Sequence, residues 1–141
     1  MLRQAQTEIL IATRNPGFFD ITRDIADWLK SVGANDGLLN IFVRHTSASL
    51  TVQENADPDV QTDLLIALDG LAPRDATYLH SSEGADDMPA HIKSMLTSPS
   101  VQIPVSSGSM ALGTWQAIYL IEHRDGLRER HVVLHYIGEL A

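Results

Sequence analysis

The segment "HSSEGADDMPAHIKSML", residues 80–96, holds two imidazoles and three carboxylates within twelve positions: His80, Glu83, Asp86, Asp87 and His91. Neutral imidazole with carboxylate oxygen is a donor mixture that zinc and other borderline transition ions accept, whereas carboxylates alone suit magnesium or calcium. The His-x10-His spacing matches no compact zinc signature such as His-Glu-x-x-His. Both rings reach one ion only if the loop folds back, and Glu83–Gly84 supplies a carboxylate and a flexible point for that turn. Plainer readings compete. A lone loop histidine is usually just solvated, and acidic residues before a helix offset the positive end of its dipole. The dipole accounts for one of Asp86 and Asp87 better than for both.

His45 follows a strand on the face shared with Leu39, Ile41 and Val43 at period two. It reads equally as a core histidine bonded to a backbone carbonyl or as a ligand at a strand end, with Thr46, Ser47 and Ser49 as polar company. Arg44, Lys93 and Arg124 are the cations near these candidates and could hold a phosphate, although such side chains are more often solvated surface. His123, beside a turn, and His131 and His135, on one face of the last strand, read as surface or subunit-contact residues. "GSMALGTW" has the spacing Gly108, four residues, Gly113 and Thr114, but no lysine follows the second glycine, which excludes a phosphate-binding loop of the NTPase kind. No Gly-x-Ser-x-Gly elbow occurs, so a hydrolase triad of that type is not expected.

These side chains must be positioned by a chain of 141 residues, long enough for one domain with a sizeable core. Its net charge of −8 argues against a nucleic-acid surface or anionic lipid as partner. No apolar run approaches a membrane span, and the first residues lack a signal-peptide core. There is no cysteine, so disulfides and thiolate chemistry are excluded, and a cytoplasmic location is the default expectation.

Gln6–Arg14 reads as a strand. "DITRDIADWLKSVG" carries Ile21, Ile25, Trp28, Leu29 and Val32 at helical spacing and ends at Gly33. "GLLNIFVRHTSASLTVQ" returns to β character. A second helix starts at Asp57 as N-cap with Pro58 in the first turn, and repeats Val60, Leu64, Leu68 and Leu71. A short helix from about Pro89 is expected to turn Ile92, Met95 and Leu96 inward. "SVQIPV" is a short strand and "SSGSMALG" a loop. "TWQAIYLIEHR" and "RERHVVLHYIGEL" are expected to pair as a hairpin through Asp125–Gly126. Interspersed elements with such a hairpin give an α+β class. The strand around Trp115–Ile121 is apolar on both faces, so its second face needs cover, and an oligomer is expected to supply it.

The combination "HTSASLTVQENADPDVQTDLL", "YLHSSEGADDMPAHIKSMLTSPSVQIPV" and "LGTWQAIYLIEHRDGLRER" resembles the YjbQ-like family, usually named secondary thiamine-phosphate synthase. The resemblance runs from near Ile21 to the C-terminus. Where the family often has a Gly-Arg-Leu segment this chain has "GSMALG", so a basic side chain is missing from that loop. The resemblance implies a two-sheet β-sandwich with flanking helices, a homotrimer about a threefold axis, and a metal held by His45, His80 and His91. Zinc is the expected ion, or magnesium with a diphosphate substrate. Asp86, Asp87, Glu54 and Ser47 are then the catalytic candidates, and Arg44, Lys93 and Arg124 the contacts for a phosphorylated substrate. The implied reaction joins an aminopyrimidine diphosphate to a thiazole phosphate. The alternative is a non-catalytic module that holds a metal or small ligand.

Overall fold

A computed structural model describes residues 1–141. In chain order the elements are β1 (Arg3–Arg14), β2 (Gly17–Asp20), α1 (Thr22–Ser31), β3 (Ala34–Val43), β4 (Ala48–Glu54), α2 (Pro58–Leu71), α3 (Asp87–Leu96), β5 (Ser100–Ser106), β6 (Ser109–Met110), β7 (Gln116–Glu122) and β8 (Leu127–Leu140). They form two antiparallel sheets, a five-stranded one in the order β1-β8-β3-β5-β6 and a three-stranded one in the order β2-β7-β4. The fold is an α+β two-sheet β-sandwich with flanking helices. No helix is long and apolar enough to cross a membrane.

The core lies between the sheets. Period-two alternation turns Leu39, Ile41 and Val43 of β3 and Val132, Leu134 and Tyr136 of β8 inward, where they meet Leu50 of β4 and Ile118 and Leu120 of β7. The amphipathic stripe of α1 closes one side with Ile25 and Leu29. Each such side chain contributes roughly 1.5–3 kcal/mol by leaving water. Tyr136 shows how closely β3 and β8 approach. Gly37 and Gly138 face each other across the two strands. A Cβ at Gly37 would lie 2.7 Å from the Tyr136 hydroxyl.

Four expectations are corrected. β7 and β8 are not a hairpin, because β7 pairs with β2 and β4 while β8 pairs with β1 and β3. The Arg124–Gly126 turn, with Gly126 at φ 82°, carries the chain from one sheet to the other. Second, Ala117 to Ile121 are buried on both faces within one chain, and Tyr119 packs edge-on against Phe18. The strand itself is thus covered on both faces, while Trp115 just ahead of it is 63 % exposed. Exposed apolar surface also lies on the outer face of the larger sheet, at Leu10, Leu38, Phe42 and Ile137. Third, Met95 and Leu96 of α3 are exposed; this short helix turns Pro89, Ala90 and Lys93 into the protein instead. Fourth, His123 is not at the surface but buried, its Nε2 2.9 Å from Ser49 Oγ. The expected Asp57 cap of α2 is present, its side chain accepting the Asp59 N–H, and the helix buries none of its residues fully.

Candidate metal centre

The third helix starts at Asp87, two residues before the proline where the sequence places it. That start decides the site. Asp87 and His91 become i and i+4 on one helical face, the spacing at which side chains meet. Ahead of the helix, Gly84 at φ 114° lets the loop turn back, and its carbonyl accepts the Asp87 N–H at 3.2 Å. His80 and Glu83 are carried over the first turn of α3. One ligand atom from each of His80, Glu83, Asp87 and His91 then lies within 4.8 Å of the others.

Hydrogen bonding fixes how His91 presents itself. Its Nδ1 lies 3.2 Å from the Thr46 carbonyl, which can only accept, so Nδ1 carries the proton. The other ring nitrogen, Nε2, lies 3.4 Å from Oδ2 of Asp87. A ring proton or a bound cation can bridge that gap. Donation of Nδ1–H to a backbone carbonyl is also the usual way a metal-bound histidine is oriented. The same Asp87 oxygen is 2.7 Å from His80 Nε2, which is 3.5 Å from Glu83.

Asp87 is only 2 % exposed, and Arg124 is what makes that tolerable. Arg124 donates through NH1 to Asp87 and through Nε to Asp86, each at 2.8 Å, and through NH2 to the Glu83 carbonyl at 3.0 Å. Burial pushes the Asp87 carboxyl up, but the His80 hydrogen bond and the charges of His91 and Arg124 outweigh it and hold the group below the usual carboxylate range. Asp86 behaves alike, with burial opposed by Arg124 and the Asp125 N–H. The donor set, two imidazoles and two carboxylates, fits a divalent transition ion such as zinc.

The remaining residues singled out from the sequence stand elsewhere. His45 is not in the group. Its Nε2 accepts the His131 N–H at 2.8 Å and its Nδ1 lies 3.4 Å from Arg130. Burial, then Arg130 and His131, push its pKa down, so the ring is neutral with its lone pair engaged. It lines a cavity of about 460 Å³ with Phe42, Arg44, Thr46, Ser47 and Pro99, beside the Thr46 carbonyl that holds His91. Ser47 Oγ accepts from Arg130 at 3.1 Å. Glu54 accepts the Asp57 N–H at the start of α2, at 3.3 Å. Lys93 is buried and paired with Asp69 at 2.5 Å, and all three Arg124 nitrogens are engaged. Among the three cations only Arg44 is open, its side chain 60 % exposed in a surface pair with Glu8.

Sequence reading did not single out Glu122 and Arg130. The fully buried Glu122 and the nearly buried Arg130 form an ion pair between the sheets. Their trace in the sequence is a carboxylate ending the apolar run Ala117–Ile121 and an arginine on the inward parity of Val132 and Leu134.

An antiparallel sandwich that carries a two-histidine, two-carboxylate group at a loop–helix junction defines a small α+β domain with a candidate metal centre. The family model for UPF0047, YjbQ-like proteins, matches residues 7–139, and the chain belongs to that family. It is 48% identical over 139 residues to a UPF0047 protein of Synechocystis, covering 98% of this chain and 95% of the relative. Among solved structures, a protein of the YjbQ/UPF0047 family from Clostridium acetobutylicum superposes with a TM-score of 0.83 at 40% identity, over 91% of this chain and 97% of that one. A YbjQ-like protein of unknown function from Sulfolobus solfataricus has a TM-score of 0.90 at 24% identity, over 99% and 100%, and shares the fold.

Proposed function

We propose that this chain is a metal-dependent enzyme acting on a small molecule, with His80, Glu83, Asp87 and His91 as the metal-holding residues and zinc as the preferred ion. The observation that carries this reading is the convergence of His80, Glu83, Asp87 and His91 within 4.8 Å, with the Thr46 carbonyl holding His91 Nδ1 so that Nε2 faces the buried Asp87 carboxylate. A bound divalent ion would polarise a substrate oxygen or acidify a water. His80 and Glu83 are the exposed members of the group, so substrate approaches from their side. His45 moves from ligand to cavity wall in this reading.

The finer proposal is thiamine-phosphate synthase activity. A C–N bond forms between the aminopyrimidine and the thiazole phosphate while the C–O bond to pyrophosphate breaks. Its support is the family's usual name, and a diphosphate substrate would bring its own magnesium. Arg44 is the cation free to meet a phosphate, since Lys93 and Arg124 are engaged within the chain. That engagement favours the second reading, a non-catalytic module for a metal or small ligand. Purified, metal-loaded protein is expected to form thiamine phosphate from the two phosphorylated halves. If metal binds but no product forms with zinc or magnesium, the binding module replaces the enzyme. A cytoplasmic location goes with the absence of cysteine.

The exposed Leu10, Leu38, Phe42 and Ile137 share the outer face of the larger sheet and support assembly through that face. Resemblance to the family supplies the number three. Light scattering at micromolar concentration is expected to give three times the 15.5 kDa chain mass, and a monomer would refute the assembly.

A further inference from the structure

The buried carboxylate of Glu122 hydrogen-bonds to none of the metal-centre ligands, yet two chains of hydrogen bonds lead from it to the group. Its oxygens accept from the Thr13 hydroxyl at 2.6 Å, from Arg130 Nε at 2.7 Å and NH2 at 2.5 Å, and from the His123 and Arg124 N–H groups at 3.0 Å. One chain runs through the Arg124 backbone to its guanidinium and on to Asp86, Asp87 and the Glu83 carbonyl. The other runs through Arg130 NH2, which also reaches the Ser47 carbonyl and hydroxyl at 3.3 and 3.1 Å. Ser47 follows Thr46, whose carbonyl fixes His91.

We infer that Glu122 is a positioning residue that sets the metal-binding geometry of Asp87 and His91 together, from a place where it can touch neither metal nor substrate. It ties the β7–β8 turn, which carries Arg124, to the strand-end loop, which carries Thr46. The two ligands sit on one face of α3, Asp87 held by Arg124 of the one loop and His91 by the Thr46 carbonyl of the other. A buried pair of this kind is not needed for stability as such, since apolar side chains of equal volume often do as well. What an apolar pair cannot do is direct five donors at one point and so fix two loops relative to each other.

The inference rests on the proposed metal centre, and Glu122→Gln tests it. Glutamine keeps the volume and one acceptor, but its amide must face at least one of the Arg130 or backbone donors, so a tether slackens. Cobalt(II) serves as the probe because its visible spectrum reports ligand geometry. In the wild type, cobalt is expected to bind one ion per chain with a defined ligand-field spectrum. In Glu122→Gln the affinity should fall about tenfold, the low end of what outer-shell changes cost, and the spectrum should shift. Adding Arg124→Gln to Glu122→Gln should cost less than the two separate losses multiplied, because both act through Asp87. Ile103→Val, a core change remote from the site, should lower stability while leaving affinity and spectrum unchanged.

If Glu122→Gln does not fold, Arg130→Lys reads the same tether from its other side, with the same loss and spectral change expected. A wild-type affinity and spectrum in whichever variant folds would overturn the positioning role while leaving the metal centre intact. A wild-type protein that binds no cobalt would overturn the metal centre and this inference with it.

Discussion

Replacing Asp87 by alanine is expected to abolish high-affinity metal binding, with a loss larger than the 10–100-fold typical of outer-shell changes. The side chain is the hub of the group. One oxygen faces both His80 and His91, and the other holds Arg124. Its removal takes away a ligand, frees the His80 ring and leaves Arg124 with one of its two carboxylates. Asp87→Asn separates the effects, because it keeps a hydrogen-bonding oxygen but not the charge. It should bind metal more weakly than wild type and more tightly than the alanine variant. Calorimetric titration with zinc checks the order. Wild-type affinity in Asp87→Ala would remove this residue from the site.

The second large effect is on stability. Arg130→Met leaves Glu122 buried without its charged partner, and breaking such a pair from one side costs about 3–5 kcal/mol. The pH dependence follows from the same contact. Burial pushes the Glu122 carboxyl up, but Arg130, Thr13 and backbone N–H groups hold it below its ordinary value of 4.5. A carboxylate with a lowered folded-state pKa stabilises the protein above the unfolded value and loses that contribution as pH falls through the folded one. Asp86 and Asp87 act in the same direction from an ordinary value of 3.8. Wild-type stability should therefore be full at neutral pH and decline below about pH 4.5. In Arg130→Met the neutral-pH stability should be much lower and the acid decline shallower. Thermal unfolding from about pH 3 to pH 7 measures both. A variant with the wild-type profile would show that the pair contributes nothing.

What could be read from the sequence followed from periodicity. The stripe of α1 and the alternation of β3 fix which side chains enter the core, and both agree with the structure. The hairpin failed because an Asp-Gly turn says that the chain reverses, and not which sheet the next strand joins. The second face of β7 looked in need of a partner because tertiary cover within the chain leaves no local trace. At the site, His80 and His91 were legible from composition. The Asp87–His91 relation was hidden by starting α3 at Pro89, since i, i+4 has meaning only within a helix. His45 looked like a ligand from its strand-end position, but its partner is the His131 N–H, 86 positions away along the chain. Glu122 and Arg130 were passed over for a similar reason, because a buried charge is interpretable only once its partner is known.

The central claim is a metal held by two imidazoles and two carboxylates, and X-ray absorption at the zinc edge of the zinc-loaded, untagged protein tests it most directly. The expected spectrum shows one zinc per chain with two imidazole nitrogens at about 2.0–2.1 Å and oxygen for the rest of the shell. His45→Ala should leave that spectrum unchanged, because the His45 lone pair is engaged by a backbone amide. A shell of three imidazoles that falls to two in His45→Ala, or a protein that takes up no zinc, would contradict the site described for His80, Glu83, Asp87 and His91.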